Sequence, residues 1–240
     1  MKEIYDDGIT GPSLKELEEF AAWYNEKIGN YPVIVGGWAV YCYTKGLGSK
    51  DIDVVFLGDA AKHVTLGAYF LSHGYAERSR SFFDKEFVKV INTSEREIEI
   101  IIDAVSSKRT IIFDSRKARL PWKWAIKHNT LQKLGNARFY IPTAELLLVY
   151  KLGAIIGRNI NLRTGIDFEY YRSKLWKDAY DVVSLTQLEL DQAKVDMFLK
   201  ESKLDDLKDE MLGILDDNFD DEIKSLLKGA SLAKIRKILS

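Results

Sequence analysis

Apolar positions recur first at helical and then at strand spacing. Leu14, Leu17, Phe20, Ala21 and Tyr24 fall on one helical face, and Ser13-Leu14-Lys15-Glu16 has the form of a capping box. The spacing predicts an amphipathic helix from Ser13 to Ile28, stopped by Gly29-Asn30. Pro32-Val33-Ile34-Val35 is a short apolar run ending at Gly36-Gly37, and Trp38 to Thr44 follows as a helix closed by Gly46. This is a strand, a glycine turn and a helix. Asp51-Ile52-Asp53-Val54-Val55-Phe56 alternates acidic and apolar residues before turning apolar on both faces, the pattern of a buried strand with one polar end. A helix over Ala60 to His73 follows. Strands at Glu86–Ile91 and Glu97–Val105, joined by Asn92-Thr93-Ser94-Glu95, read as a long hairpin.

Beyond Pro142 the period changes. Ala144 to Gly157 is helical and apolar, Leu175 to Leu185 is a second helix, and Leu188 onward reads as several short charged helices. Ile141-Pro142-Thr143 ends the β-rich part, and Thr143 is placed to cap the next helix. The expected fold class is therefore α+β: an N-terminal mixed β-sheet domain with flanking helices over residues 1–141, then a helical C-terminal domain over 142–240.

Composition narrows the class. The 240 residues are 46% hydrophobic and 30% charged, enough for a packed core and incompatible with global disorder. Lys plus Arg total 35 against 36 acids, so any contact with a polyanion must be local. One cysteine, Cys42, excludes intrachain disulfides and thiolate metal clusters. Met1–Thr10 has no apolar core of a signal peptide, and no run of about 18 apolar residues occurs, so a cytoplasmic chain with no membrane partner is expected.

The chemistry concentrates in carboxylates. On a strand, Asp51 and Asp53 leave from one face, close enough to share a divalent cation. Thirteen residues separate Gly37 from Asp51, enough for a short helix and a turn that lay the acidic strand beside the glycine strand. Backbone N–H groups at a glycine-preceded helix start attract anions, and oxygen ligands nearby suit Mg²⁺ bridging the same phosphates. Ser49 adds a hydroxyl donor just before the acidic strand. A third acid completes such a site. Asp103, at the end of Ile100-Ile101-Ile102, is the first choice and Glu99 the reserve, because Glu97 and Glu99 lie nearer the hairpin turn.

Val35-Gly36-Gly37, a spacer, Ser49-Lys50-Asp51-Ile52-Asp53-Val54 and Ile102-Asp103-Ala104 resemble the nucleotidyltransferases of the DNA polymerase β superfamily in motif and spacing. The resemblance implies a triphosphate held at Gly36, Gly37 and Ser49, with Asp51, Asp53 and Asp103 binding Mg²⁺, two ions in all, and an NTP as substrate. Leu47-Gly48 stand where many relatives carry an arginine. Glu145 to Ala154, with Lys151 inside it, and Arg172 to Asp181, with Lys177-Asp178 and Asp181, look like the AbiEii toxin-type members. That likeness implies Lys151 at the triphosphate, Lys177, Asp178 and Asp181 organising the site, and a toxin-like role with an antitoxin partner. By spacing alone, Asp178 and Asp181 equally fit a solvated salt-bridge ladder. The implied reaction moves a nucleoside monophosphate to an acceptor hydroxyl on RNA (tRNA) or protein; alternatives are a small-molecule, antibiotic-type acceptor or a member that binds nucleotide or RNA without turnover.

Lys108 to Arg138 holds nine Lys or Arg against Asp114 alone, with Trp122 and Trp124 interleaved. That is the composition of an RNA-binding groove, and equally of a solvated face over buried tryptophans. His63, His73 and His128 lack metal-ligand spacing, and no covalent-nucleophile motif occurs. Asp216 to Glu222 lacks the glycine and spacing of a calcium loop and reads as a helix cap. Residues 187–240 carry nine bases against thirteen acids.

Overall fold

The structure, a computed structural model, describes residues 5–57, 60–79, 84–93, 96–113, 118–165, 167–228 and 230–240. The fold is α+β, and the chain divides into two compact units. One comprises Lys2–Thr110 with Pro121–Thr143, the other Ile111–Leu120 with Ala144–Ser240.

The first unit is built on a mixed sheet of seven strands. In chain order its elements are α1 (Asp7–Ile28), β1 (Val33–Val35), α2 (Gly36–Thr44), β2 (Ile52–Phe56), α3 (Ala60–Ser72), β3 (Ala76–Ser79), β4 (Asp84–Asn92) and β5 (Glu97–Ser106). After a short ribbon, β6 (Thr110–Ile112) with β7 (Arg119–Pro121), come α4 (Lys123–Lys127), β8 (Asn129–Leu134) and β9 (Ala137–Pro142). The sheet order is β3-β4-β5-β2-β1-β9-β8, with β2–β5 and β1–β9 parallel and the remaining pairs antiparallel. Along β5 the odd residues from Glu97 to Val105 are half-buried or exposed, whereas Ile98, Ile100, Ile102, Ala104 and Ser106 are buried. The buried row continues into Ile52, Val54 and Phe56 of β2 and Phe87 of β4. Phe87 meets Phe70 of α3 at 4.5 Å between ring centroids, and Phe70 meets Phe20 of α1 at 5.3 Å. One face of the sheet is thus packed under α1 and α3 by aromatic contacts.

Three sequence expectations shift. The first helix starts at Asp7, not Ser13: Asp6 caps it by accepting from the Ile9 N–H at 3.0 Å, and Ser13 instead accepts from Trp38 Nε1 at 3.0 Å inside the core. The glycine-rich helix starts at Gly36 itself. The acidic strand starts at Ile52, so Asp51 stands one residue before it and strand alternation does not govern its direction. The turn residues Ser94 and Glu95 lie outside the described residues.

The second unit is helical: α5 (Ala144–Arg163), α6 (Phe168–Leu185), α7 (Gln192–Ser202), a 3₁₀ turn at Asp205–Leu207, α8 (Lys208–Asn218), α9 (Asp221–Leu226) and α10 (Ala233–Leu239). Every residue from Leu146 to Gly153 is buried, so α5 is covered on all sides in that stretch. A Cβ at Gly153 would collide with Leu120 Cδ1 and lie 2.8 Å from Phe113 Cζ, so glycine there lets the Leu120 and Phe113 side chains pack against α5. Asp220 caps α9 by accepting from the Ile223 N–H at 2.8 Å and also accepts from Trp176 Nε1 at 2.9 Å, the capping role expected of the 216–222 acidic run.

Candidate functional site

The first unit gathers six of the sequence candidates, Gly36, Gly37, Ser49, Asp51, Asp53 and Asp103, at one end of β1 and β2. β1 ends at Val35, which gives α2 no side-chain cap, and the first turn of α2 holds no acid. The helix's own residues therefore supply neither a side-chain cap nor an acid to its positive N-terminal end. Gly36 makes the turn with φ +65°, a left-handed value that strains any other residue. A Cβ there would collide with Asp53 Oδ2. The acid of β2 is therefore pressed against the glycine backbone, and two independent constraints, dihedral and space, demand glycine. At Gly37 a Cβ would fall 2.8 Å from both Cβ and Oγ of Ser49, which is buried. The Ser49 hydroxyl thus sits beside the same helix start.

Register places the acids. Val35 pairs with Asp53, Asp53 with Asp103, Asp103 with Glu86, and Glu86 with Arg78. Residues paired across a sheet share a face, so Asp53, Asp103 and Glu86 form a row of three carboxylates on adjacent strands, ended by a guanidinium. Asp53 and Asp103 are half-buried and Glu86 is buried. Arg78 reaches Glu86 at 3.7 Å and bonds Glu99 at 2.6 Å. Glu99, the reserve third acid, is thus an Arg78 partner beside Val90, whereas Asp103 lies beside Asp53. Asp51 is buried just ahead of β2. Glu86 and Arg78 were not anticipated. The hairpin register contained the signal, since counting back from the Asn92–Glu97 pair puts Glu86 opposite Asp103.

The row suits a hard cation only in part. Oxygen donors on one rung match Mg²⁺, which takes one or two carboxylates and completes its octahedron with phosphate oxygens and water. Among the described residues no group of three His, Cys, Asp or Glu side chains is placed to hold a metal. The fit is to a cation shared with a bound phosphate rather than to one caged by protein alone.

The candidates of the helical unit come together separately. Lys151 of α5 bonds Asp178 Oδ1 and Asp181 Oδ2 of α6, both at 2.7 Å, and Lys177 bonds Asp181 Oδ1 at 2.5 Å. Arg158 Nε lies 3.5 Å from Asp178 Oδ2. All but Arg158 are buried, Asp181 completely. Burial alone would lower the Lys151 pKa, but two carboxylates outweigh it and hold the ammonium charged well above the ordinary lysine range. At Lys177 burial wins over its one shared carboxylate and the pKa falls. Burial would raise Asp178, yet Lys151 and Arg158 bring it below the usual carboxylate value. Two lysines and two aspartates balance, with Arg158 at the half-buried edge of the cluster. This is a buried ion cluster joining α5 to α6, not the solvated ladder that the spacing also allowed.

Other candidates stay apart. Trp124 is buried and Trp122 half-buried, so Trp124 offers no stacking face. Asp114, Arg116 and Lys117, and the side chain of His63, lie outside the described residues. Cys42 is half-buried, its thiol pushed up to about 11 by burial despite the nearby Lys45 charge.

No helix among the described residues is long and apolar enough to cross a membrane. No protein-family model matches the chain, and no curated protein matches it. Among solved structures it is similar to an antigenic nucleotidyltransferase-like protein from Paracoccidioides brasiliensis, at 14% identity and a TM-score of 0.48, over 87% of this chain and 94% of that one.

Proposed function

We propose that the protein is a nucleotidyltransferase: it moves a nucleoside monophosphate from an NTP to an acceptor hydroxyl and releases pyrophosphate. The observation that carries this reading is the contact of the strained Gly36 turn with Asp53, whose rung neighbour is Asp103. A positive helix start and paired carboxylates at one sheet end offer the two things a triphosphate needs, N–H donors for its oxygens and acids for its counter-cation.

In the proposed reaction the acceptor oxygen attacks the α-phosphorus, the bond from that phosphorus to the bridging oxygen breaks, and pyrophosphate departs with the electron pair. The N–H groups at Gly36 and Gly37 and the Ser49 hydroxyl hold phosphate oxygens. Asp53 and Asp103 would hold Mg²⁺, with Asp51 as the further ligand implied by the motif; the cation, when bound, neutralises charge on the triphosphate. Asp103 is also the carboxylate proposed to take the acceptor proton. The AbiEii-type motif implies Lys151 at the triphosphate, with Lys177, Asp178 and Asp181 organising the site; within their own unit Lys151 pairs with Asp178 and Asp181, and Lys177 with Asp181. The proposed acceptor is RNA, with tRNA first, or protein, and an antitoxin is the proposed partner.

The test follows label from each of four α-labelled NTPs, with Mg²⁺ and total tRNA, in wild type, Asp53→Asn and Asp103→Asn. Label on RNA, lost in both variants while the melting temperature holds, supports the reading and its acceptor. Label on the protein itself supports transfer and moves the acceptor to protein. Bound NTP without transfer or pyrophosphate, with RNA or with small hydroxylated acceptors such as aminoglycosides, overturns it in favour of a binding module.

A further inference from the structure

The helices after Leu188 lie outside the motifs that suggested nucleotidyl transfer, and they border a solvent-open cleft of about 730 Å³. Its walls come from the end of α6, from α7, the start of α8 and α10. A volume of this size is typical of pockets for small ligands, which run from about 300 to 1,000 Å³.

Four lysines line it: Lys200 on α7, Lys208 opening α8, and Lys234 and Lys237 on α10. None of the four has a carboxylate within ion-pair distance among the described residues. Asp196 and Asp205 are the acids of the lining, and Asp196 already accepts from Gln192 Nε2 at 2.8 Å. The surrounding segment, residues 187–240, is acidic, with nine bases against thirteen acids. Four bases converging on one cavity, against two acids, therefore reverse the sign of their own neighbourhood. Like charges gathered without counter-ions repel, and a bound anion relieves that repulsion.

The remaining lining gives the ligand a body. Leu188, Leu190 and Ile238 are half-buried there and Leu199 is buried. Among the described residues no aromatic side chain lines the cleft to offer a base the stacking surface that a nucleotide or single-stranded RNA site uses. Gln192 Nε2 donates to the Ile238 carbonyl oxygen at 3.0 Å and so links α10 to α7 across the cleft wall. An aliphatic floor and a cationic rim suit an amphiphilic anion.

We propose that this cavity binds a small organic anion with an aliphatic body and a phosphate or carboxylate head. The lysines take the head as mobile point charges, and the leucines and Ile238 take the chain. Burial of the methylenes of such a chain is favourable, so a six-carbon body separates the proposed ligand from inorganic phosphate by more than about tenfold in affinity.

The experiment titrates the ¹⁵N-labelled full chain with hexyl phosphate, hexanoate, inorganic phosphate and 1-hexanol, reading backbone amide shifts, in wild type and in Lys234→Glu/Lys237→Glu. Both lysines are exposed, so the variant leaves the core intact, and its melting temperature checks this. The expected result is hexyl phosphate binding at least about tenfold tighter than either inorganic phosphate or hexanol. The shifts fall within residues 186–208 and 234–240, and the double variant loses at least about tenfold in affinity. Tighter binding of hexanoate than of hexyl phosphate supports the site and assigns the head to carboxylates, weaker binding assigns it to phosphates, and equal binding supports a site that takes either. Absence of shifts up to about 10 mM overturns the proposal. So does inorganic phosphate binding as well as hexyl phosphate, which marks a bare lysine surface, or an RNA or acidic peptide binding here while hexyl phosphate does not. None of these outcomes depends on nucleotidyl transfer.

Discussion

Asp181→Asn isolates the energetics of the buried ion cluster. Asp181 is fully buried, and its oxygens face different lysines, Oδ2 to Lys151 at 2.7 Å and Oδ1 to Lys177 at 2.5 Å. The amide keeps the volume and removes the charge. Lys151 retains Asp178 at 2.7 Å, so the variant chiefly deprives Lys177 of the carboxylate it is bonded to. Breaking one side of a buried pair costs about 3–5 kcal/mol. The lower end applies at Lys177, because burial already brings its pKa below the ordinary lysine value and the group can shed its proton instead of staying charged. The expected loss is about 3 kcal/mol at pH 7. It shrinks as pH rises: the folded-state pKa of Lys177 in the variant lies below its unfolded value of about 10.4, so between the two the unfolded chain binds more protons and stability grows with pH. Lys177→Met/Asp181→Leu removes the pair whole and leaves Lys151 with Asp178, so it costs less than Asp181→Asn alone. Urea unfolding gives the free energies, and amide exchange in α5 and α6 shows that the loss falls there. A loss below about 1 kcal/mol, the worth of an exposed pair, refutes the reasoning. So does additivity within about 0.5 kcal/mol in the cycle of Lys177→Met, Asp181→Leu and their double variant.

Three further outcomes follow from the same structure. Gly36→Ala meets both a left-handed φ and the Asp53 carboxylate, so it should destabilise by about 1–3 kcal/mol and abolish label transfer; wild-type melting and transfer would show that Asp53 does not lie against this turn. Asp178 has a folded-state pKa below its unfolded value, so its contribution is present above about pH 4 and is lost as pH falls through the folded value; exchange in α5 and α6 should therefore accelerate in acid, and Asp178→Asn should remove part of that dependence. Cys42, with its thiol near pKa 11, should react with a disulfide reagent at pH 7.5 on the order of a hundredfold more slowly than a free thiol and approach the free rate on unfolding; equal rates before and after would place the thiol in solvent.

The strand–glycine–helix opening, the acidic strand and the 86–105 hairpin were legible because each rests on local rules: glycine at a left-handed φ, period-two alternation, and turn residues between two β-branched runs. The β8–β9 hairpin was not. Its strands carry half-exposed positions, and the sheet gains β9 through a parallel pairing with β1 that no local pattern announces. Ser13 misled for a related reason. Its capping-box spacing is real, but the hydroxyl is used inside the core by Trp38, while Asp6 does the capping one residue before the helix. Asp51 was assigned to the strand by alternation, and a boundary one residue later removes it.

The ion cluster shows how a better physical question recovers what spacing leaves open. Lys177 and Asp181, four apart on one helix, look the same on paper whether the helix is solvated or buried. What separates the two cases is the partner helix. Leu146 to Leu152 is apolar but for Tyr150 and Lys151, and a helix apolar on all sides is a buried one. A lysine inside it cannot stay charged without a buried acid, and α5 between Leu146 and Ile156 supplies none. The acid must come from another buried helix, and Leu175 to Leu185 is the segment that carries aspartates within a largely apolar run. The pairing of Lys151 with Asp178 and Asp181 then follows from charge balance, with Lys177 as the cation that the second aspartate requires.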